Sequence, residues 1–146
     1  MAITRHAEAT WNGDLLNGSG TINYVSSGAF SRLPVTWAAR TEEHNGKTSP
    51  EELIASAHAA CFSMALSNML AGAGHVVTSV DTSAVVHMDK VGDGMSITGI
   101  DLKTVGRVPG LTAADFQTWA ENAKKNCIVS RALASVPMTL DATLVA

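Results

Sequence analysis

Residues 49–67 read SPEELIASAHAACFSMALS, and the fold turns on how this stretch is read. Ser49 is suited to cap a helix, Pro50 to fill its first position, and Glu52 to complete a capping box. Glu51 and Glu52 place carboxylates at the positive end of that helix. The helix is predicted to run to about Ala71, where Gly72 and Gly74 stop it. Its body is apolar nearly all round, which calls for burial on most sides. Small side chains recur from Ala55 to Ser67 and let another backbone come close. A single small domain has difficulty surrounding such a helix, so a homodimer that wraps it is expected. The alternative is an Ala-rich helix under one large sheet.

Upstream, residues 4–40 read as strands and turns. Ala7, Ala9 and Trp11 alternate with His6, Glu8 and Thr10, and Asn12-Gly13 and Asn17-Gly18 are turn dipeptides. Thr21–Val25 and Val35–Arg40 are expected as further strands, and Asn45-Gly46 closes a polar loop. Downstream, the period changes to two. Val80, Thr82, Ala84, Val86 and Met88 share one face, and a turn at Val91-Gly92-Asp93-Gly94 returns the chain from Met95 to Val108 as a long hairpin. Thr112 caps a second helix with Phe116, Trp119, Ala120 and Ala123 on its buried side, ending near Asn126-Cys127. A short helical turn is expected over Ser130–Ala134, and Pro137 opens a last strand. Strands, helix, hairpin, helix and strand in that order indicate an α+β fold.

Composition narrows the function classes. The chain has 146 residues, which suits one domain spanning 1–146. Hydrophobic residues make up 46% and charged residues 16%, which excludes a disordered chain. Lys and Arg number 10 against 13 Asp and Glu, a net charge of −3 with few aromatics, so nucleic acid is not expected as a partner. The N-terminus lacks an apolar signal core, and Leu53–Gly74 is interrupted by Ser56, His58, Ser63, Ser67 and Asn68. A cytoplasmic protein without a membrane span is expected. Phosphate-cradling, dinucleotide-binding, HExxH and CxxC motifs are all absent, and no cofactor or metal is implied.

The chemistry then rests on two cysteines, Cys61 and Cys127. Either they are small core residues or they are a redox couple. Cys61 lies too deep in the first helix to gain much from the helix dipole, so a thiolate there requires an added positive charge. Arg40 is the candidate, because a guanidinium keeps its proton when buried. Glu51 can hold that guanidinium by a two-pronged hydrogen bond. At 100° per residue, Glu51 and Cys61 fall about 80° apart around the helix and can line one pocket. The bland alternatives are a solvated strand-end charge for Arg40 and a surface acid for Glu51. His58, three residues before Cys61, admits a Cys–His hydrolase pair or half of a zinc site, against a histidine satisfied within the core. Cys127, near the negative end of the second helix, is expected to be the poorer nucleophile, which suits a resolving thiol.

The stretch at 49–67 resembles the signature of the OsmC/Ohr proteins, and the resemblance extends over the whole chain. It includes GDLLNGSGTI at 13–22, TWAAR at 36–40, TSVDTSAVVHMDKV at 78–91, VPG at 108–110 and KKNCIVSRAL at 124–133. HAACFSMALS and the arginine before the helix resemble the OsmC branch. The resemblance implies an intertwined homodimer, with two central helices packed between antiparallel sheets built from both chains. It implies a thiol peroxidase that reduces organic hydroperoxides and, less well, hydrogen peroxide. Cys61 takes the place of the reactive cysteine and Cys127 of the resolving one. Arg40 takes the place of the thiolate-stabilising arginine, with Glu51 as its carboxylate partner. A lipoyl-type dithiol is the implied reductant. Two other readings stay open on cysteine chemistry alone: a redox-sensing or ligand-binding dimer without turnover, and a Cys–His hydrolase.

Overall fold

A computed structural model describes all residues, Met1–Ala146. The chain divides into two compact units, Met1–Leu53 and Ile54–Ala146, with the division inside the long helix. In the first unit, β1 (Ala7–Asn12), β2 (Ser19–Val25) and β3 (Ser31–Val35) form an antiparallel sheet in sequential order. Trp11 pairs with Gly20, and Gly20 pairs with Val35 on its other side. A Cβ on Gly20 would meet Trp11 Cε3 at 2.7 Å and Val35 Cγ2 at 2.8 Å, so only glycine fits between them. Every residue of β1 is exposed.

The strand expected over Val35–Arg40 is not formed. β3 ends at Val35, and α1 (Trp37–Thr41) follows as a short helix. Thr36 has an extended backbone and its hydroxyl accepts from the Ala39 N–H at 3.1 Å. The alternation of Val35, Trp37 and Ala39 suggests a strand, but a capping threonine followed by helix-tolerant Trp-Ala-Ala-Arg wins locally.

The helix at the centre of the sequence reading is α2 (Pro50–Gly72). Ser49 Oγ accepts from the Glu52 N–H at 3.2 Å, as a cap does, and the Thr48 hydroxyl donates to Glu52 Oε1 at 3.0 Å. Gly74, at φ +87°, lies just beyond its end. By length and composition α2 is apolar enough to cross a membrane. One face of it is packed inward: His58, Phe62, Leu66 and Leu70, spaced by four, form a buried stripe, and the Ser63 hydroxyl donates to Thr82 Oγ1 at 2.8 Å. The opposite side, with Ala57, Ala60, Met64, Asn68 and Ala71, is exposed.

In the second unit, β4 (Ser79–Val91) and β5 (Gly94–Arg107) form the expected hairpin, with Gly92 at φ +61° in its turn. Helix α3 (Ala113–Asn126) starts at the Thr112 cap, whose hydroxyl accepts from the Asp115 N–H at 3.1 Å. Helix α4 (Ile128–Ala132) begins two residues earlier than expected, and β6 (Met138–Val145) follows. The strand order is β4-β5-β6, and β6 runs parallel to β5, with Ile100 beside Met138 and Gly106 beside Leu144. This sheet is therefore mixed, where antiparallel sheets were expected. The reason is the connection: residues 108–137, with two helices, carry the chain back over the sheet before it pairs again, which is how parallel neighbours are joined. The buried stripe of α2 meets Ile100, Leu102 and Val108, together with Phe116, Ala120 and Ala123 of α3, and Cys127 closes the cluster. Phe116 lies against Gly106 so closely that a Cβ there would overlap its ring.

Candidate functional site

In the first unit, α1 carries Arg40 and the first turn of α2 carries Glu51, with the turn at Asn45-Gly46 between them. Arg40 Nε donates to Glu51 Oε1 at 3.1 Å and Oε2 at 3.0 Å, and Nη2 donates to Oε1 at 2.6 Å. The guanidinium also lies 5.6 Å from the centroid of the Trp37 ring, within cation–π range. The Glu51 side chain is 11% exposed and that of Arg40 33%. Burial is the largest single influence and resists the Glu51 charge, but the Arg40 hydrogen bonds, the Glu51 backbone N–H and the Arg40 charge together outweigh it and hold the carboxyl below its ordinary range. The bond to Glu51 in turn holds Arg40 protonated above its ordinary value. The expected pair is in place, and a fixed cation results.

In the second unit, α2 supplies Cys61 and the junction of α3 with α4 supplies Cys127. Both are free thiols, and each sulfur is a hydrogen-bond neighbour of the other. Burial works against a Cys61 thiolate. The Val129 N–H, the Cys127 thiol and the Ile128 N–H outweigh it and bring Cys61 below an ordinary thiol. A positive charge was expected to be required for that direction; main-chain amides of α4 supply part of it instead. Cys127 moves the other way. Burial pushes its thiol up, and the neighbouring Cys61 adds to the rise. That direction disfavours a Cys127 thiolate, and its causes are burial and the second thiol rather than a helix end.

Ser130 connects this pair to His58. Cys127 makes no side-chain capping bond at α4, yet the Ser130 N–H and hydroxyl act on its sulfur and favour its thiolate, without overcoming burial. The Ser130 hydroxyl lies 2.7 Å from His58 Nε2. His58 is fully buried, and burial pushes its pKa down. It is a core histidine held by a hydrogen bond, and its Nε2 is engaged with Ser130 rather than with Cys61. No three His, Cys, Asp or Glu side chains converge as they would around a metal ion. Ser130 and the amides of Ile128 and Val129 were missed from sequence. The available signal was the spacing from Cys127 to Ser130, three residues across a helix start; placing that helix two residues late concealed it.

The chain as a whole is similar to several known proteins. A family model described as OsmC-like protein matches residues 43–141. Peroxiredoxin OsmC of Escherichia coli is 46% identical over 141 residues, covering 97% of this chain and 96% of that protein. Among solved structures, an OsmC-like protein from Mycoplasma pneumoniae superposes with a TM-score of 0.76 at 16% identity, with 100% of both chains covered. An organic hydroperoxide resistance protein OsmC from Legionella pneumophila gives a TM-score of 0.73 at 20% identity, covering 98% of this chain and 99% of that one.

Proposed function

Because this chain belongs to the OsmC-like protein family, we infer that it is a thiol peroxidase that reduces organic hydroperoxides, with Cys61 as the attacking thiolate and Cys127 as the resolving thiol. The observation that carries this reading is the thiol pair itself: two adjacent free cysteines, one shifted toward the thiolate and the other away from it. Cys61 Sγ attacks the O–O bond. One oxygen stays on sulfur as a sulfenic acid and the other leaves as an alcohol. Cys127 then displaces the hydroxyl from Cys61, and a disulfide and water form. An external dithiol, of lipoyl type, restores both thiols by exchange and is itself oxidised. To Arg40, fixed by Glu51, we assign the part the family resemblance implies, a cation that favours the thiolate. No cofactor takes part.

The working form is a homodimer of one OsmC-like domain per chain, residues 1–146, in which each copy covers the bare side of the other's α2. The exposed Ala57, Ala60 and Met64 and the uncovered β1 support it. The protein acts in the cytoplasm, where reduced dithiols are available.

Stoichiometric treatment with cumene hydroperoxide, followed by mass spectrometry, tests the assignment. The wild type is expected to lose two hydrogens as a disulfide, and Cys127→Ser to gain one oxygen at Cys61. Oxygen uptake elsewhere, or an unmodified Cys61, would overturn it. Continued peroxide consumption with dihydrolipoamide separates an enzyme from a redox sensor, which stops after one equivalent per thiol pair. A kcat/KM for cumene hydroperoxide well above that for hydrogen peroxide is expected, and equal values would remove the substrate preference.

A further inference from the structure

Access decides which sulfur an external thiol can reach once Cys61 and Cys127 are joined. Cys127 is 1% exposed, whereas Cys61 is only partly buried. The two sulfurs are already hydrogen-bond neighbours, so closing the disulfide moves neither far. Attack on Cys61 Sγ is therefore open, and Cys127 is the sulfur that leaves. We propose that Ser130, aimed by His58, is the catalytic residue of this reductive step and receives the charge on the departing Cys127 sulfur. The proposal rests on the peroxidase reading and deepens it by giving the reduction a direction.

Three observations carry the proposal. First, α4 starts from Cys127, and Ser130 is its third residue, the relation in which a side chain at a helix start meets the N–H groups of the first turn. Ser130 is buried, and its N–H and hydroxyl both act on the Cys127 sulfur in the direction that favours a thiolate. Secondly, the Ser130 hydroxyl is aimed. Its oxygen lies 2.7 Å from His58 Nε2. Burial pushes the His58 pKa down and keeps the ring neutral, so one ring nitrogen carries a proton and the other a lone pair. Nδ1 is buried without a partner. A buried N–H is the costlier group to leave unpaired, so Nδ1 is the lone pair and Nε2 carries the proton. His58 then donates to Ser130 Oγ, and the Ser130 proton is left for sulfur. Thirdly, Cys127 needs this help. Burial and the Cys61 sulfur both oppose its thiolate, which makes it a poor leaving group without Ser130. The charged side chains that line a cavity with Ser130 are Lys124, Lys125 and Arg131, none of which opposes a negative charge.

The step balances with the dithiol already assigned to the reaction. One dithiol sulfur releases its proton to solvent and attacks Cys61 Sγ. The Cys61–Cys127 bond breaks, and its electron pair leaves on Cys127, which accepts from Ser130 and afterwards takes a proton from solvent. A mixed disulfide now joins Cys61 to the reductant. The second dithiol sulfur loses its proton and attacks the first, so the reductant closes to a cyclic disulfide and Cys61 leaves as a thiolate. Two electrons pass from the dithiol to the protein disulfide. Ser130 touches a reacting sulfur, whereas His58 acts only through Ser130 and is a positioning residue.

The experiment starts from protein oxidised to the disulfide with diamide, so it does not depend on peroxide chemistry. Limiting 2-mercaptoethanol is added, the reaction is quenched in acid, and the mixed disulfide is mapped by mass spectrometry. It is expected on Cys61, and a mixed disulfide on Cys127 would overturn the proposal. In Ser130→Ala the rate constant for reduction by dihydrolipoamide should fall about 10- to 100-fold, as for loss of a hydrogen bond to a charged group, and by a like factor with 2-mercaptoethanol. Ser130→Thr, which keeps the hydroxyl, should react like the wild type. His58→Leu should be slow, and His58→Gln, whose amide can donate to Ser130, should recover most of the rate; the Ser130 variants decide alone if His58→Leu does not fold. Unchanged rates, no recovery in Ser130→Thr, a loss confined to dihydrolipoamide, which would mean lost docking, or an equal loss of sulfenic acid formation at Cys61, which would mean general damage, would each overturn the proposal. The peroxidase reading is judged separately: if cumene hydroperoxide leaves the wild type without a disulfide, that reading falls, while the disulfide made with diamide still decides this one.

Discussion

Cys61 and Cys127 are the same side chain in two electrostatic settings, and the difference is measurable. Cys61 accepts from two main-chain amides and ionises below an ordinary thiol, while the buried Cys127 ionises above it. Alkylation by iodoacetamide, mapped by mass spectrometry against pH, should therefore turn on at lower pH for Cys61 than for Cys127. Glu51 gives a second pH signature. Its folded pKa is depressed, so its contribution to stability is fully present above the ordinary carboxylate value of about 4.3 and is lost as pH falls through the depressed one. Glu51→Gln should be less stable than wild type at pH 7 by about 1–2 kcal/mol, below the range for a fully buried pair because a third of the Arg40 side chain is exposed. The gap should narrow toward pH 3 in urea unfolding. In steady-state assays Arg40→Met should lower kcat/KM for cumene hydroperoxide by about 10²-fold or more, the size expected when a preorganised charge is lost. Of these residues Arg40 and Glu51 were legible in the sequence, because an arginine before a helix start and a glutamate in its first turn suffice to suggest a pair. Ser130 was not, because its role depends on a long-range approach to His58, 72 positions away.

Among the elements, those defined by a long periodic pattern were the legible ones. The 23 residues of α2, the β4–β5 hairpin and the capped α3 follow from periodicity and caps spread over many positions. α1 was not legible: with five residues, its fate depends on one cap, and Val35-x-Trp37-x-Ala39 imitates a strand. The direction of β6 was not legible either, because alternation fixes which face a strand presents and not which neighbour it joins. The tight meeting of β5 and α3 at Gly106 has a direct consequence. Gly106→Ala forces a methyl into the Phe116 ring and should cost about 1–3 kcal/mol, seen as a lowered Tm by calorimetry. Replacing Gly94, which has open space around it, by alanine should leave Tm nearly unchanged.

For the whole molecule, the question is what covers the second side of α2. An isolated chain leaves Met64 72% exposed on a helix whose sequence is apolar nearly all round. A dimer across that face is expected to sediment as a single species of twice the chain mass. Ala60→Glu, which puts a charge where a helix should meet its copy, should shift that species toward monomer without changing the far-ultraviolet dichroism of the chain. A wild type that sediments as a monomer would contradict the proposed assembly.

The mixed sheet also sets an order of events during synthesis. β5 is its middle strand, and one of its two edges stays open until residues 138–145, far along the chain, have emerged. A polypeptide cut short before Met138 keeps the hairpin but presents that bare edge to its neighbours, which makes nascent or clipped chains prone to pair with each other. Loss of the final strand is therefore expected to show first as insoluble material rather than as a weakened enzyme.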